Sequence, residues 1–304
     1  MNLIKVKITP LSSFITFPKG DTIFGHFAYY SFLRGEDIFK KYIVEEKPKI
    51  IFSDILPDKY VYKPALPLTS FIEDRDKKWL KANKKEFKKK SWINLSDLKN
   101  IKIQNKVDFR PYKKLNFYKT DIKVQNSLNR ISFTTDDSGT FAPFSLKEIT
   151  FIYQPVIYVM FDSKSFKEKE IEDRLNEIGK NSFGKKGSIG KGYFKAKIDK
   201  DFKGFDEVET KYYLTLSPTL LHKSKDIIED AYYNTFNRFG KYHSTSTPFK
   251  KPLLMVDSGA VVKLKETREF IGGAIENGIN EQSLVQGYSI LVPFRFNGKG
   301  LTNG

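Results

Sequence analysis

Four glycines and three lysines fall within the twelve residues from Phe183 to Phe194. They are Gly184, Lys185, Lys186, Gly187, Gly190, Lys191 and Gly192, with Ser188 among them. Glycine reaches positive φ and permits close backbone approach, so N–H groups can point at phosphate oxygens while the lysines add charge. A nucleotide P-loop is excluded, because Gly192 stands where G-x-x-x-x-G-K-[ST] requires Ser or Thr, and G-x-G-x-x-G is absent. RNA backbone contact is the better functional reading, against a plain surface loop. A second polar constellation runs from Asn126 through Asn129 to Arg130. Its amides can bond base edges, and its guanidinium can pair with phosphate or stack on a base. Phe133, Phe141 and Phe144 nearby are stacking platforms or hairpin core.

General acid–base cleavage of RNA most often uses histidine. There are three: His26, His222 and His243. His26 sits in a helical pattern beside Gly25 and Phe27, where a structural or RNA-contacting role outweighs a catalytic one. No histidine spacing suits a metal, and the absence of Cys excludes disulfides and thiolate ligands. No cofactor is expected.

These residues need elements to position them. Residues 3–17 read as a strand with Ile4, Val6 and Ile8 on one face. Pro18-Lys19-Gly20 makes a turn, and Asp21 or Thr22 would cap a helix to about Leu33, stopped by Gly35. Short strands are expected at 49–52 and 60–62. The stretch 74–90 is basic and helical in pattern, and 105–139 reads as an inserted hairpin or loop. A single strand over 150–161, a helix over 166–178, strands at 192–198 and 211–216, a helix at 226–236 and strands at 261–265 and 288–293 follow. This order predicts an α+β protein of two ferredoxin-like (RRM-like) domains, 1–148 and 149–304, the first carrying the inserted β-hairpin and the second the Gly-rich loop.

The chain of 304 residues carries a formal charge of +17, which calls for a polyanionic partner, nucleic acid first. A membrane is not expected: there is no long apolar span, and residues 1–8 alternate like a strand rather than a signal peptide. A cytoplasmic location follows as an expectation.

Ordered short motifs add a resemblance. The Gly-rich loop is similar to that of the RAMP superfamily of CRISPR proteins. The opening Pro10…Phe17-Pro18-Lys19-Gly20-Asp21-Thr22-Ile23-Phe24-Gly25-His26-Phe27 resembles the Cas5-like branch, in particular the fourth Csm subunits of type III-A complexes. So do Ser53-Asp54-Ile55-Leu56-Pro57, Lys63-Pro64-Ala65-Leu66-Pro67, Lys88-Lys89-Lys90-Ser91-Trp92-Ile93, Asn126-Ser127-Leu128-Asn129-Arg130, Gly272-Gly273-Ala274-Ile275 and Gln286-Gly287-Tyr288. The resemblance implies two RAMP domains and a non-catalytic subunit. Such a subunit binds the 5′ repeat-derived tag of the crRNA, docks the Cas10 large subunit on one side and docks a backbone RAMP subunit on the other. It adds Lys19, His26, Gly272, Gly273, Gln286 and Tyr288 to the candidate RNA-binding residues. A RAMP endoribonuclease processing repeat RNA, with His26 as acid or base, is the alternative.

Overall fold

The computed structural model describes residues 1–36, 47–67, 82, 84–86, 88–98, 112–126, 143–241, 249–278 and 283–295. In chain order these form β1 (Asn2–Pro10), α1 (Gly20–Leu33), β2 (Ile50–Phe52), β3 (Leu56–Pro57), β4 (Tyr60–Tyr62), β5 (Trp92–Asn94), β6 (Tyr112–Lys113), β7 (Tyr118–Gln125), β8 (Phe144–Phe151), β9 (Pro155–Phe161), α2 (Glu168–Lys180) and β10 (Phe194–Ile198). There follow β11 (Tyr212–Thr215), β12 (Ile228–Tyr232), β13 (Thr235–Arg238), β14 (Leu253–Val256), β15 (Val261–Leu264), β16 (Phe270–Glu276) and β17 (Leu284–Pro293).

β1 buries Ile4, Val6 and Ile8 and turns Lys5 and Lys7 to the other face, the period-two pattern of a strand covered on one side. It is central in an antiparallel sheet of order β10-β1-β9-β2, with β3 also on β9. With α1 and α2 inserted, the element order is β-α-β-β-α-β, a ferredoxin-like unit. It uses residues from 2 to 198, so the expected boundary near 148 falls inside it. The reason is topological: both neighbours of β1 come from beyond residue 155.

The second sheet, β12-β15-β11-β17-β16, is wholly antiparallel. Among the described residues it carries only a 3-10 turn (Leu221–Ser224) and no α-helix of its own, which departs from a second ferredoxin-like domain. The helix expected at 226–236 is instead β12 and β13. Ile228 pairs with Leu264 and Asp230 with Lys263, so one extra residue bulges from β12. That bulge breaks the alternation and mimics a helical spacing of Ile227, Ile228 and Ala231. The strand expected over 150–161 is two strands, β8 and β9, parted by a turn at residues 152–154.

One core joins both sheets: Phe24, Phe27 and Phe52 pack with Leu214, Leu216, Tyr288 and Ile290. Gln286 ties them covalently distant but spatially adjacent backbones, accepting from Phe52 N–H at 3.0 Å and donating to Phe52 C=O at 3.0 Å. No helix among the described residues is long and apolar enough to cross a membrane.

Candidate nucleic-acid interface

The Gly-rich loop leaves α2 at Asn181 and enters β10 at Phe194. Its ends close on each other: Phe183 N–H donates to Gly192 C=O at 2.8 Å, and Gly192 N–H donates to Ser13 C=O at 2.9 Å. Gly192 has φ +79°, and a Cβ there would collide with the Phe183 carbonyl, so this position needs glycine. Gly184 N–H donates to His26 Nε2 at 3.1 Å, and Lys185 N–H to Thr16 Oγ1 at 3.3 Å. His26 also lies over Phe183, ring centroids 4.6 Å apart. An imidazole that accepts through Nε2 is neutral there, with its proton on Nδ1. His26 therefore holds the loop in place, one of the two roles its sequence context favours.

The pinned loop presents Lys185, Lys186, Ser188 and Gly190 outward. Lys186 adopts a left-handed φ of +67° and extends its ammonium over the Phe144 ring, 4.6 Å from the centroid. A non-glycine residue held in that region costs about 1 kcal/mol or more. Here the strain aims a lysine at the last pair of the β7–β8 ladder, Gln125 and Phe144, where the hairpin runs on into its connection. Lys191 behaves differently. Its ammonium donates to Ser13 Oγ at 3.0 Å and pairs with Glu148 Oε1 at 2.6 Å. Its side chain is 16% exposed. Lys191 is thus held inward, tying the loop to Ser13 and Glu148, where Lys185 and Lys186 project. Glu148 also meets Lys123 at 3.1 Å and accepts from Ser13 Oγ at 2.9 Å. The hydrogen bond from Lys191, foremost among these, lowers the Glu148 carboxyl to about 2.

Ser13, Thr16, Glu148 and Lys123 were not singled out from sequence. Glu148 had a usable signal: it shares the strand face of Phe144 and Leu146, where a lone carboxylate needs a partner. Asn126 is exposed just past β7, on the hairpin that carries Phe144. Asn129, Arg130, Phe133, Phe141 and His243 lie outside the described residues, as does most of the basic stretch 74–90.

The remaining candidates lie elsewhere, in contacts within the fold. Lys19 pairs with Asp257 and covers the Phe236 ring at 4.5 Å, at the seam between α1 and β13. Gln286 is fully buried and spent on Phe52. Tyr288 is buried against Phe270, centroids 5.9 Å apart. A Cβ on Gly272 would strike the Gly287 carbonyl, and one on Gly273 the Lys223 side chain. Close packing of β16 on β17 and the 3-10 turn explains this glycine pair. His222 is exposed in that turn.

No family model and no curated protein matches the chain. Solved structures do. A chain of the Csm3–Csm4 subcomplex in the type III-A CRISPR-Cas interference complex aligns with a TM-score of 0.61 over 96% of this chain and 99% of its own, at 17% identity. A chain of the Csm1–Csm4 cassette in complex with pppApA gives 0.58 over 97% and 98%, at 15% identity. Csm4 is the component these two assemblies share. The chain has the Csm4 fold. Since coverage is nearly complete on both sides, the Csm4 fold takes in the two sheets, the hairpin and the Gly-rich loop together. This agrees with the Cas5-like RAMP resemblance of the short motifs.

Proposed function

We propose that this chain is a non-catalytic RNA-binding subunit of a type III CRISPR effector complex. In this reading it holds the 5′ repeat-derived tag of the crRNA and docks a Cas10 large subunit and a backbone RAMP subunit. The carrying observation is the pinned Gly-rich loop, which offers Lys185 to solvent and sets Lys186 over Phe144 at the loop end of the β7–β8 ladder. Preformed charge next to an aromatic ring suits a single strand, whose phosphates and splayed bases are both accessible. Chains of the same fold are assembled with Csm1 in one structure and with Csm3 in another, which supports the two protein partners. The use of His26 Nε2 by Gly184 N–H supports a role without acid–base chemistry.

The test is binding of tag-containing single-stranded RNA across a salt series. Lys185→Ala with Lys186→Ala should weaken binding and flatten the log–log salt slope by about 1.4, roughly 0.7 per lost single-strand phosphate contact. The same RNA should remain uncut, with or without Mg²⁺. An unchanged slope would remove the loop from the interface. Cleavage abolished by His26→Ala would replace the proposal with the endoribonuclease reading.

A further inference from the structure

The ferredoxin-like sheet has two faces, and only one is covered by α1 and α2. Phe194 packs with Leu175 and Ile178 on the helix side. Alternation along β10 therefore sends Lys195 and Lys197 to the other face, where both are exposed. On β1, Lys7 and Thr9 occupy the same face, and the register places Lys7 opposite Lys197 and Thr9 opposite Lys195. Part of this open face is occupied. Phe202 and Phe205 cover Tyr158, and Lys5 lies over Phe202 while pairing with Asp58 and Asp199. The strip along β10 stays uncovered among the described residues.

The charge on that strip is unbalanced. Asp199 is shared by Lys5 at 2.8 Å and Lys7 at 3.1 Å, and these bonds hold its carboxyl below the usual range. Among the described residues, Lys195 and Lys197 have no carboxylate within ion-pair distance. Like charges directly across a strand pair destabilise a sheet; Lys7 faces Lys197 in this way, with Asp199 offsetting the Lys7 charge. Guarding the exposed edge of β10 against strand pairing would explain Lys195 and Lys197. Lys7, on the interior strand, is paired with Asp199 and so lends the strip only part of its charge. The strip also continues the loop: Tyr193 precedes Lys195 by two residues, and its hydroxyl donates to Gly187 C=O at 3.4 Å.

We propose that the open face of β10 and β1, through Lys7, Lys195 and Lys197, is a second, sequence-independent track for the sugar–phosphate backbone of a single strand leaving the Gly-rich loop. Residues two apart on a strand are spaced about 7 Å, the scale of successive phosphates in an extended strand. No aromatic ring on the strip is offered for stacking, so contact there is with phosphate alone. This rests on the RNA-binding reading and extends it from a point of attachment to a path.

Two mixed-sequence single-stranded RNAs separate the possibilities, one just long enough for the loop and one several nucleotides longer, each titrated over salt with the full chain. Lys195→Ala with Lys197→Ala should leave the short RNA unaffected and flatten the slope for the long RNA by about 1.4, whereas the double Arg variant should restore it. An unchanged slope for the long RNA overturns the track and leaves the loop assignment standing. Loss of affinity for a glutamate-rich polypeptide with no change for RNA overturns it in favour of an acidic protein partner. Failure of the unsubstituted chain to bind either RNA overturns both readings.

Discussion

Among the individual side chains, the most telling is one that sequence did not mark. Glu148 is the hub through which the Gly-rich loop, the hairpin and the turn after β1 are joined, by Lys191, Lys123 and Ser13. Its role explains why three lysines in one loop are not equivalent: Lys185 and Lys186 project, while Lys191 is turned inward. Glu148→Gln keeps the shape and removes the charge. The expected loss of stability at neutral pH is about 3 kcal/mol, the low end for breaking a mostly buried ion pair. Because the folded carboxyl sits near 2 against an ordinary 4.5, its contribution is complete above the unfolded value and disappears as pH falls through the folded one. Denaturant midpoints of the two proteins should therefore converge between about pH 4.5 and 2. A deficit that persists in acid would mean that the amide disturbs packing and that the ion pair matters little. The left-handed Lys186 and the Gly184–His26 contact were equally hidden in sequence, since both depend on which distant backbone arrives beside them.

At the level of elements, the sequence was most legible where a strand or helix is covered on one side only. α1, α2 and β15 lie within a few residues of where periodicity puts them, and β1 begins where expected but ends at Pro10 and not at residue 17, because burial follows the alternation or the helical stripe only while the element is covered on one side. Legibility failed at β12, where a bulge disguised the period, and at the N-terminus of α1. There Lys19 takes the capping position without capping, and Asp54, from a different element, accepts Gly20 N–H at 2.8 Å. Asp21, one of the two expected caps, is drawn off by Arg238 and, like Thr22, lies inside the helix. A tertiary partner replaced a local one in each case, which no local pattern records. The two helices are locked by Arg174 on α2. It donates to Ser31 on α1, to Glu36 just beyond it and to Glu170, and lies over Phe27 and Phe166 at 5.1 and 5.5 Å. The Arg174 side chain is 3% exposed. Arg174→Ala should cost about 3 kcal/mol in urea unfolding, from lost packing as well as an unpaired carboxylate. Arg174→Met should recover part of that, because Glu36 and Glu170 are exposed enough for water to solvate them. Equal losses for the two variants would show that the fork of hydrogen bonds, and not the filled volume, is what joins the helices.

Across the whole molecule, the two sheets form one unit around a buried carboxylate. Asp54 follows β2 and lies where α1, β4 and the second sheet meet. Its carboxylate accepts from Gly20 N–H, from Tyr62 hydroxyl at 2.8 Å and from Ser258 hydroxyl at 2.6 Å, while its own N–H donates to Leu216 C=O at 2.8 Å. Burial raises this carboxyl to about 6 despite those donors and the nearby Lys19. A folded value raised above the unfolded 3.8 means that the folded state binds the proton more tightly. Stability from this group is complete below the unfolded value and is lost as pH rises toward the folded one. Glu148 and Asp199 act in the opposite direction over an overlapping range, so the pH profile of the intact protein is not diagnostic. The difference between it and Asp54→Asn is. Asparagine keeps an oxygen for Gly20 N–H, and the Tyr62 and Ser258 hydroxyls can rotate to accept from its amide. Between about pH 4 and 7, the stability of the Asn variant should rise relative to the parent by up to about 3 kcal/mol, the equivalent of some two pH units. Measured as urea midpoints for both unfolding phases, if two appear, the gain should show in whichever phase separates the sheets. A difference that is flat with pH, or that falls, would mean that the ionised carboxylate is well compensated at the junction, and that the two sheets are held together by Gln286 and the shared apolar core.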